Sequence, residues 1–323
     1  MSSLLESVGN TPLVAFEGLW AKLECANPGG SVKDRIAVFM LREALARGEL
    51  KAGDTIVEAT SGNTGIALSL AARALGCQAI IFMPEHMSAE RRGMMERAGA
   101  EVRLTPRDES FAGACARRDA LRGQPGVFIP DQFGNPDNTR CHRETTGREL
   151  IDQLRAAGVA RLDAFIAGVG TGGTLMGVGQ ALRDVWPAVR IVAVEPEESA
   201  VLSGGAAGEH GIMGIGDGFV PALLDPSFVD EVAVVSTAEA HAKAVAIRAS
   251  SGHCVGRSSG ANTVAALRLV ARGLSVATVW ADCADRYESV GLAGPSGDLA
   301  CPLHDACRER AHRMLGPAPP RTV

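Results

Sequence analysis

Three short stretches of this chain carry residue types that could do chemistry. "NPGGSVKDR" (27–35) delivers a single lysine, Lys33, out of a run of turn formers, with Asp34 and Arg35 beside it. An amine on a flexible stem is a nucleophile toward carbonyl carbon when its surroundings favour the neutral form. The same string also reads as a solvated helix start. "TSGNTG" (60–65) lies between an apolar strand pattern and a helical one. Its hydroxyls and backbone N–H groups could converge on an anion, or Thr60 or Ser61 could cap the helix and nothing more. "GVGTGG" (168–173) satisfies G-x-G-x-x-G, and Glu195 ends the next strand at about the spacing of a dinucleotide fingerprint. Taken alone it predicts an NAD(P)-dependent dehydrogenase. Its physical content is narrower: glycines and a helix N-terminus that present N–H groups to a phosphate. Thr171 and Thr174 add hydroxyls that suit a single phosphate group, and the dehydrogenase reading leaves 27–35 and 60–65 without a role.

The elements that must position these stretches follow a repeated rhythm of apolar strand, Gly-rich turn and amphipathic helix. Strands are expected at 55–59, 78–84, 101–106, 127–132, 162–170, 190–196, 231–236 and 274–282. Ser88 is a candidate N-cap for the helix that follows the second of them. Several of these strands are continuous Val/Ile/Ala runs, the pattern of strands buried on both faces, which implies parallel sheets covered by helices. The expected plan is two packed α/β lobes with mainly parallel sheets and a cleft between them. Ligands would collect beyond the carboxyl ends of the strands, where the Gly-rich turns lie.

Composition excludes several classes. The chain has 323 residues, 46% hydrophobic and 21% charged, the balance of a globular protein with a sizeable core. A net charge of −5 argues against nucleic acid or an anionic membrane as partner, and 4% aromatics leaves few base-stacking platforms. The opening "MSSLLESVGN" lacks a basic n-region, and no apolar run is long enough to span a bilayer. Eight scattered cysteines suit free thiols in a reducing cytoplasm.

Read together, "NPGGSVKDR", "EATSGNTGIAL", "DQFGNPDN", "AGVGTGGTLMGV", "VEPEES", "GIGDGFVP" and "SSGA" occur in the order found in cysteine synthases. From about Leu4 to about Gly291 the chain resembles these O-acetylserine sulfhydrylases, which are β-family, fold type II pyridoxal-phosphate enzymes related to the tryptophan synthase β-subunit. The resemblance implies pyridoxal 5′-phosphate as cofactor, held by a Schiff base to Lys33. Gly170, Thr171, Gly172, Gly173 and Thr174 would hold its phosphate, Asn63 its ring oxygen and Ser258 its pyridine nitrogen. A neutral hydroxyl at that nitrogen moderates the electron sink and favours β-elimination. Thr60, Ser61, Gly62, Thr64 and Gln132 would grip the substrate carboxylate, with Gly216 and Asp217 also on the substrate side. The implied reaction is β-replacement on an activated serine through an α-aminoacrylate, with Lys33 moving the α-proton and sulfide completing L-cysteine. O-phosphoserine, thiosulfate, homocysteine or an amine are alternative reactants. The resemblance further implies a smaller mobile lobe at 37–140, a larger lobe from 1–36 plus 141–293, a tail at 294–323, a homodimer, and a possible complex with serine acetyltransferase.

Three departures from the family pattern bear on the second substrate. Asp217 stands where a small or apolar residue is usual. Pointing into the cleft, it would disfavour hydrosulfide; otherwise it is a solvent-facing turn residue. "AFEGL" (15–19) is short, which predicts a trimmed hairpin, and Glu288 alters a segment near the cleft. "CPLHDAC" places Cys301, His304 and Cys307 at helical spacing, but structural zinc sites usually come as two close ligand pairs, so no metal is expected.

Overall fold

The structure is a computed structural model that describes residues 3–60, 62–85 and 87–290. The strands are β1 Leu13–Phe16, β2 Leu19–Leu23, β3 Thr55–Ala59, β4 Gln78–Pro84, β5 Glu101–Thr105, β6 Val127–Phe128, β7 Ala164–Gly168, β8 Arg190–Pro196, β9 Glu231–Val235 and β10 Val276–Trp280. The helices begin with α1 Ser3–Glu6, α2 Lys33–Ala46, α3 Asn63–Leu75, α4 Ala89–Arg97 and α5 Ser110–Asp119. They continue with α6 Pro136–Cys141, α7 Arg148–Ala156, α8 Gly173–Val185, α9 Thr237–Ser251 and α10 Arg257–Val270.

Two sheets result. One runs β1-β2-β10-β7-β8-β9 and the other β5-β4-β3-β6. Every pairing is parallel except the β1–β2 hairpin. Strand β10 is buried at all five residues, as expected of a strand covered on both faces. The hairpin closes through Glu17 and Gly18, both at positive φ (46° and 83°), so a two-residue turn replaces anything longer. The strand expected over 127–132 stops at Phe128. Pro130 has no N–H to pair, and Asp131 takes φ 53°, which turns the chain toward the cleft. Ser88 caps α4 as its sequence position suggests. No described helix is long and apolar enough to cross a membrane.

Helix α2 ties the sheets together. Its apolar face (Ala37, Val38, Leu41, Ala44) packs with Ile56, Ile66 and Leu70 over the four-stranded sheet. Its N-terminus is fastened to the six-stranded sheet, where Val32 N–H donates to Ala281 O at 2.8 Å just past β10. Arg35, close behind this anchor, is buried in a charge network. Its guanidinium meets Glu24 at 2.6 Å and Glu149 at 2.7 Å, and Lys22 meets Glu149 at 2.9 Å. Burial pushes the Glu149 carboxyl up, but the hydrogen bonds and charges of Arg35 and Lys22 outweigh it and hold the group at about 2, below its ordinary 4.5.

A folded-state pKa depressed this way stabilises the fold above the unfolded value and is lost as pH falls toward the folded one; its size here is about 3 kcal/mol. Glu149→Gln leaves two buried cations under-paired and is expected to cost about 3–5 kcal/mol near neutrality. The deficit relative to wild type should shrink as pH falls from about 4.5 toward 2. Denaturant titrations of both proteins across that range check it.

Candidate active site

The carboxyl ends of β3, β7 and β10 and the N-termini of α2, α3, α8 and α10 converge on one cleft of about 920 Å³, part of it open to solvent. This is the crevice where parallel α/β sheets bind ligands. Lys33, Thr60, Gly62, Asn63, Thr64, Gln132, Gly170, Thr171, Gly172, Thr174, Asp217 and Ser258 all line it. Gly173 and Gly216 stand behind the wall. Asn138 Oδ1 occupies the place a Cβ on Gly173 would take, and Pro196 fills the corresponding space at Gly216. Ser61 lies outside the described residues, as do Cys301, His304 and Cys307, and the side chain of Glu288. Among the described residues no group of three or more His, Cys, Asp or Glu is placed to hold a metal ion.

Lys33 is the first residue of α2. Burial lowers its amine pKa from the ordinary lysine value, against the pull of Asp217 and then Asp282. The helix N-terminus works in the same direction as burial. The chain holds four lysines in all. Lys22 is locked in the charge network, Lys243 pairs with Glu17 on the surface, and Lys51 is exposed. Only Lys33 faces the cleft. Its neighbours explain the "GG" before it: Gly30 sits at φ 81° with Arg286 Nη2 where a Cβ would stand, so a side chain there is excluded twice over.

Helix α8 opens directly after β7 through Gly172 at φ 82°. The Thr171 hydroxyl accepts from Asn138 Nδ2 at 3.1 Å, and the Thr174 hydroxyl meets His142 Nε2 at 3.1 Å. His142 is fully buried and bonded on its other nitrogen to Thr146 at 2.9 Å. Burial, with Arg35 and Lys33 nearby, holds its pKa well below the ordinary value, so a neutral ring orients Thr174. In the 60–65 loop, Thr60 Oγ1 accepts from Gly62 N–H at 3.2 Å, and Thr64 donates to Gln132 Oε1 at 2.6 Å. The Gln132 backbone N–H is held by buried Glu58 at 3.1 Å, directly beneath the loop. Asn63 donates to Asp282 at 2.7 Å and accepts from Arg286 at 2.6 Å, which leaves one N–H and one lone pair for a ligand. Asp217 lines the cleft at a position that is also exposed to solvent. No hydrogen-bond donor meets its carboxylate among the described residues, and desolvation raises its pKa against the pull of Lys33 and then His210.

Sequence reasoning missed Asp282, Arg286, Tyr287, Arg91 and His142. Asp282 ends a parallel strand pattern, where site residues collect, so a signal for it existed. Arg286 and Tyr287 lie inside the segment singled out for Glu288. Arg91 and His142 sit on helices and are brought in only by tertiary packing.

Glu195, which a dinucleotide ribose would need, instead accepts from Leu202 N–H at 2.7 Å and Ser203 N–H at 2.9 Å, and it does not line the cleft. The Gly-rich loop therefore has no Glu195 carboxylate available to a ribose. A phosphorylated aldehyde suits what remains. The Lys33 amine and the Ser258 hydroxyl face the cleft without a hydrogen-bond partner among the described residues, and hydroxyls flank the start of α8.

A family profile described as "Pyridoxal-phosphate dependent enzyme" matches residues 4–278. A cysteine synthase of Staphylococcus aureus is 42% identical over 303 residues, covering 90% of this chain and 97% of that one. The solved cysteine synthase of Entamoeba histolytica superposes with a TM-score of 0.85 at 36% identity, over 98% of this chain and 96% of that one. O-ureido-L-serine synthase gives a TM-score of 0.86 at 38% identity, over 95% and 99%. Similarity of this depth and length agrees with a cleft that offers one lysine and a Gly-rich turn at a helix N-terminus: the chain belongs to the pyridoxal-phosphate-dependent enzymes and, among them, to the cysteine synthases.

Proposed function

We propose that this cleft carries out β-replacement on an activated L-serine, O-acetyl-L-serine first among the candidates, with sulfide as nucleophile and L-cysteine as product. The observation that carries the reading is the placement of Lys33 as the one lysine on a cleft that also holds the 60–65 loop and the 170–174 turn. Pyridoxal phosphate, when bound, supplies the carbonyl for attachment to an amine and the electron sink for the α-carbon. The residues do the rest. Thr171 and Thr174 would hold the phosphate end, Ser258 would offer the ring nitrogen a neutral hydroxyl, and Asn63 would address the ring oxygen. Thr60, Ser61, Gly62, Thr64 and Gln132 hold the substrate carboxylate. The Lys33 amine, facing the cleft, would take the substrate's α-proton and later return it. Closure of the 60–65 loop excludes water. In this reading residues 37–140 form the smaller, moving lobe, residues 1–36 with 141–293 the larger one, and two copies of the chain assemble as a homodimer. Serine acetyltransferase is a candidate partner.

Asp217 favours a second reading of the nucleophile. A carboxylate beside Lys33 repels an anion but accepts a proton, so it suits H₂S, an organic thiol or an amine better than hydrosulfide. The product of purified enzyme with O-acetyl-L-serine and sulfide tests the first reading: cysteine is expected, and its absence with every activated serine tried refutes it. Homocysteine and amines offered in place of sulfide test the second.

A further inference from the structure

Arg91, on α4, is 3% exposed, and no described carboxylate forms an ion pair with it. The other buried arginines are not left this way. Arg35 has Glu24 and Glu149, Arg118 has Glu58 and Asp119, and Arg286 has Asp285. Arg91 makes one side-chain hydrogen bond, from Nε to Ser88 Oγ at 2.9 Å, and lies 5.4 Å over the Tyr287 ring. A buried guanidinium with no ion-paired anion carries a desolvation cost that the Tyr287 ring and the more distant charges of Asp282 and Glu90 offset only in part. It lines the cleft, and its Nη1 lies 2.6 Å from the place a Cβ on Gly62 would occupy. Gly62 is part of the loop assigned to the substrate carboxylate, and every other described group there, Thr60, Thr64 and Gln132, is neutral. Apart from Lys33, Arg91 is the one cation on the cleft wall among the described residues.

We propose that Arg91 is the charge partner of the amino-acid substrate's α-carboxylate, set against the loop through side-chain-free Gly62, while the neutral hydroxyl and amide donors fix that carboxylate's orientation. This rests on the reading of 60–65 as the carboxylate site. The glycine then has a reason beyond turn geometry, since any side chain at 62 would displace the guanidinium. The anion also completes the environment of a residue that the resting fold leaves unpaired.

Equilibrium binding of two unreactive ligands to the holoenzyme, by calorimetry, tests this: L-alanine, which carries the carboxylate, and L-alaninamide, which does not. Arg91→Gln should weaken L-alanine by about 10- to 100-fold and leave L-alaninamide within about twofold. Arg91→Lys, which keeps the charge on a shorter stem, should fall between. Equal losses for both ligands, or no loss for L-alanine, would overturn the proposal. Should Arg91→Gln not fold, a preference for L-alanine over L-alaninamide that is unchanged in Arg91→Lys overturns it instead. Thr64→Val separates the two levels: if it leaves L-alanine binding untouched, the carboxylate-loop reading itself fails, and if it weakens L-alanine while Arg91→Gln does not, only the role of Arg91 is lost.

Discussion

Lys33→Ala is expected to abolish turnover, with a loss of at least about a thousandfold in kcat, while the protein still folds. The size of the loss follows from the position of the other lysines. Lys22 is fully buried with Glu149, Thr11 and Gln153 around its amine, and Lys51 and Lys243 face away on the surface. None can take over an amine delivered from the start of α2. Folding should survive, because Lys33 contributes no side-chain hydrogen bond or ion pair among the described residues, and the network beneath it is built on Arg35. The check is a rate measurement with O-acetyl-L-serine beside a thermal melt. An active Lys33→Ala protein would remove the lysine from the mechanism.

Asp217→Asn should have the next largest effect, and its sign depends on the nucleophile. If Asp217 takes a proton from the incoming group, its loss costs about a hundredfold with a neutral thiol or amine. With sulfide, the rate of the variant should follow the fraction already ionised and therefore rise with pH. Wild type should behave differently. Its Asp217 pKa is raised from the ordinary aspartate value, so the base is lost as pH falls through that raised value, and activity with neutral nucleophiles declines on that limb. The Asp217→Asn enzyme, with an amide that does not titrate, has no such limb. Steady-state rates against pH, with sulfide and with homocysteine, measure both. Identical profiles for the two proteins would make Asp217 a bystander.

How much of this was legible in the sequence depends on the range of the interaction. The strand–turn–helix rhythm pointed to the sheets because buried parallel strands are written as unbroken apolar runs, as in "VATVW" (276–280) and "IVAVEP" (191–196). The cleft followed from topology, since the turns at 60–65 and 170–174 had to share the carboxyl edge of their sheets. Lys33 could not be told from a solvated helix start by its neighbours alone; the expectation of a chemical role came from the company of distant motifs. The flanking Arg35 is buried, which no local pattern indicates, because Glu24 and Glu149 reach it from 11 and 114 residues away. Asp217 stayed ambiguous for the same reason: whether a turn residue faces solvent or a cleft is decided by what packs behind it. Arg91 carried no signal, being one arginine of a pair on a polar helix, and its meaning lies in Gly62 and Tyr287 coming to it across the fold.

Attachment of a carbonyl cofactor to Lys33 is open to one direct measurement. The colour of the purified protein is recorded, and the protein is then reduced with borohydride and digested, and the modified peptide identified by mass spectrometry. A pyridoxyl phosphate adduct on Lys33 is the expected result. An adduct on Lys22, Lys51 or Lys243, or a colourless protein carrying a nicotinamide dinucleotide, would contradict it.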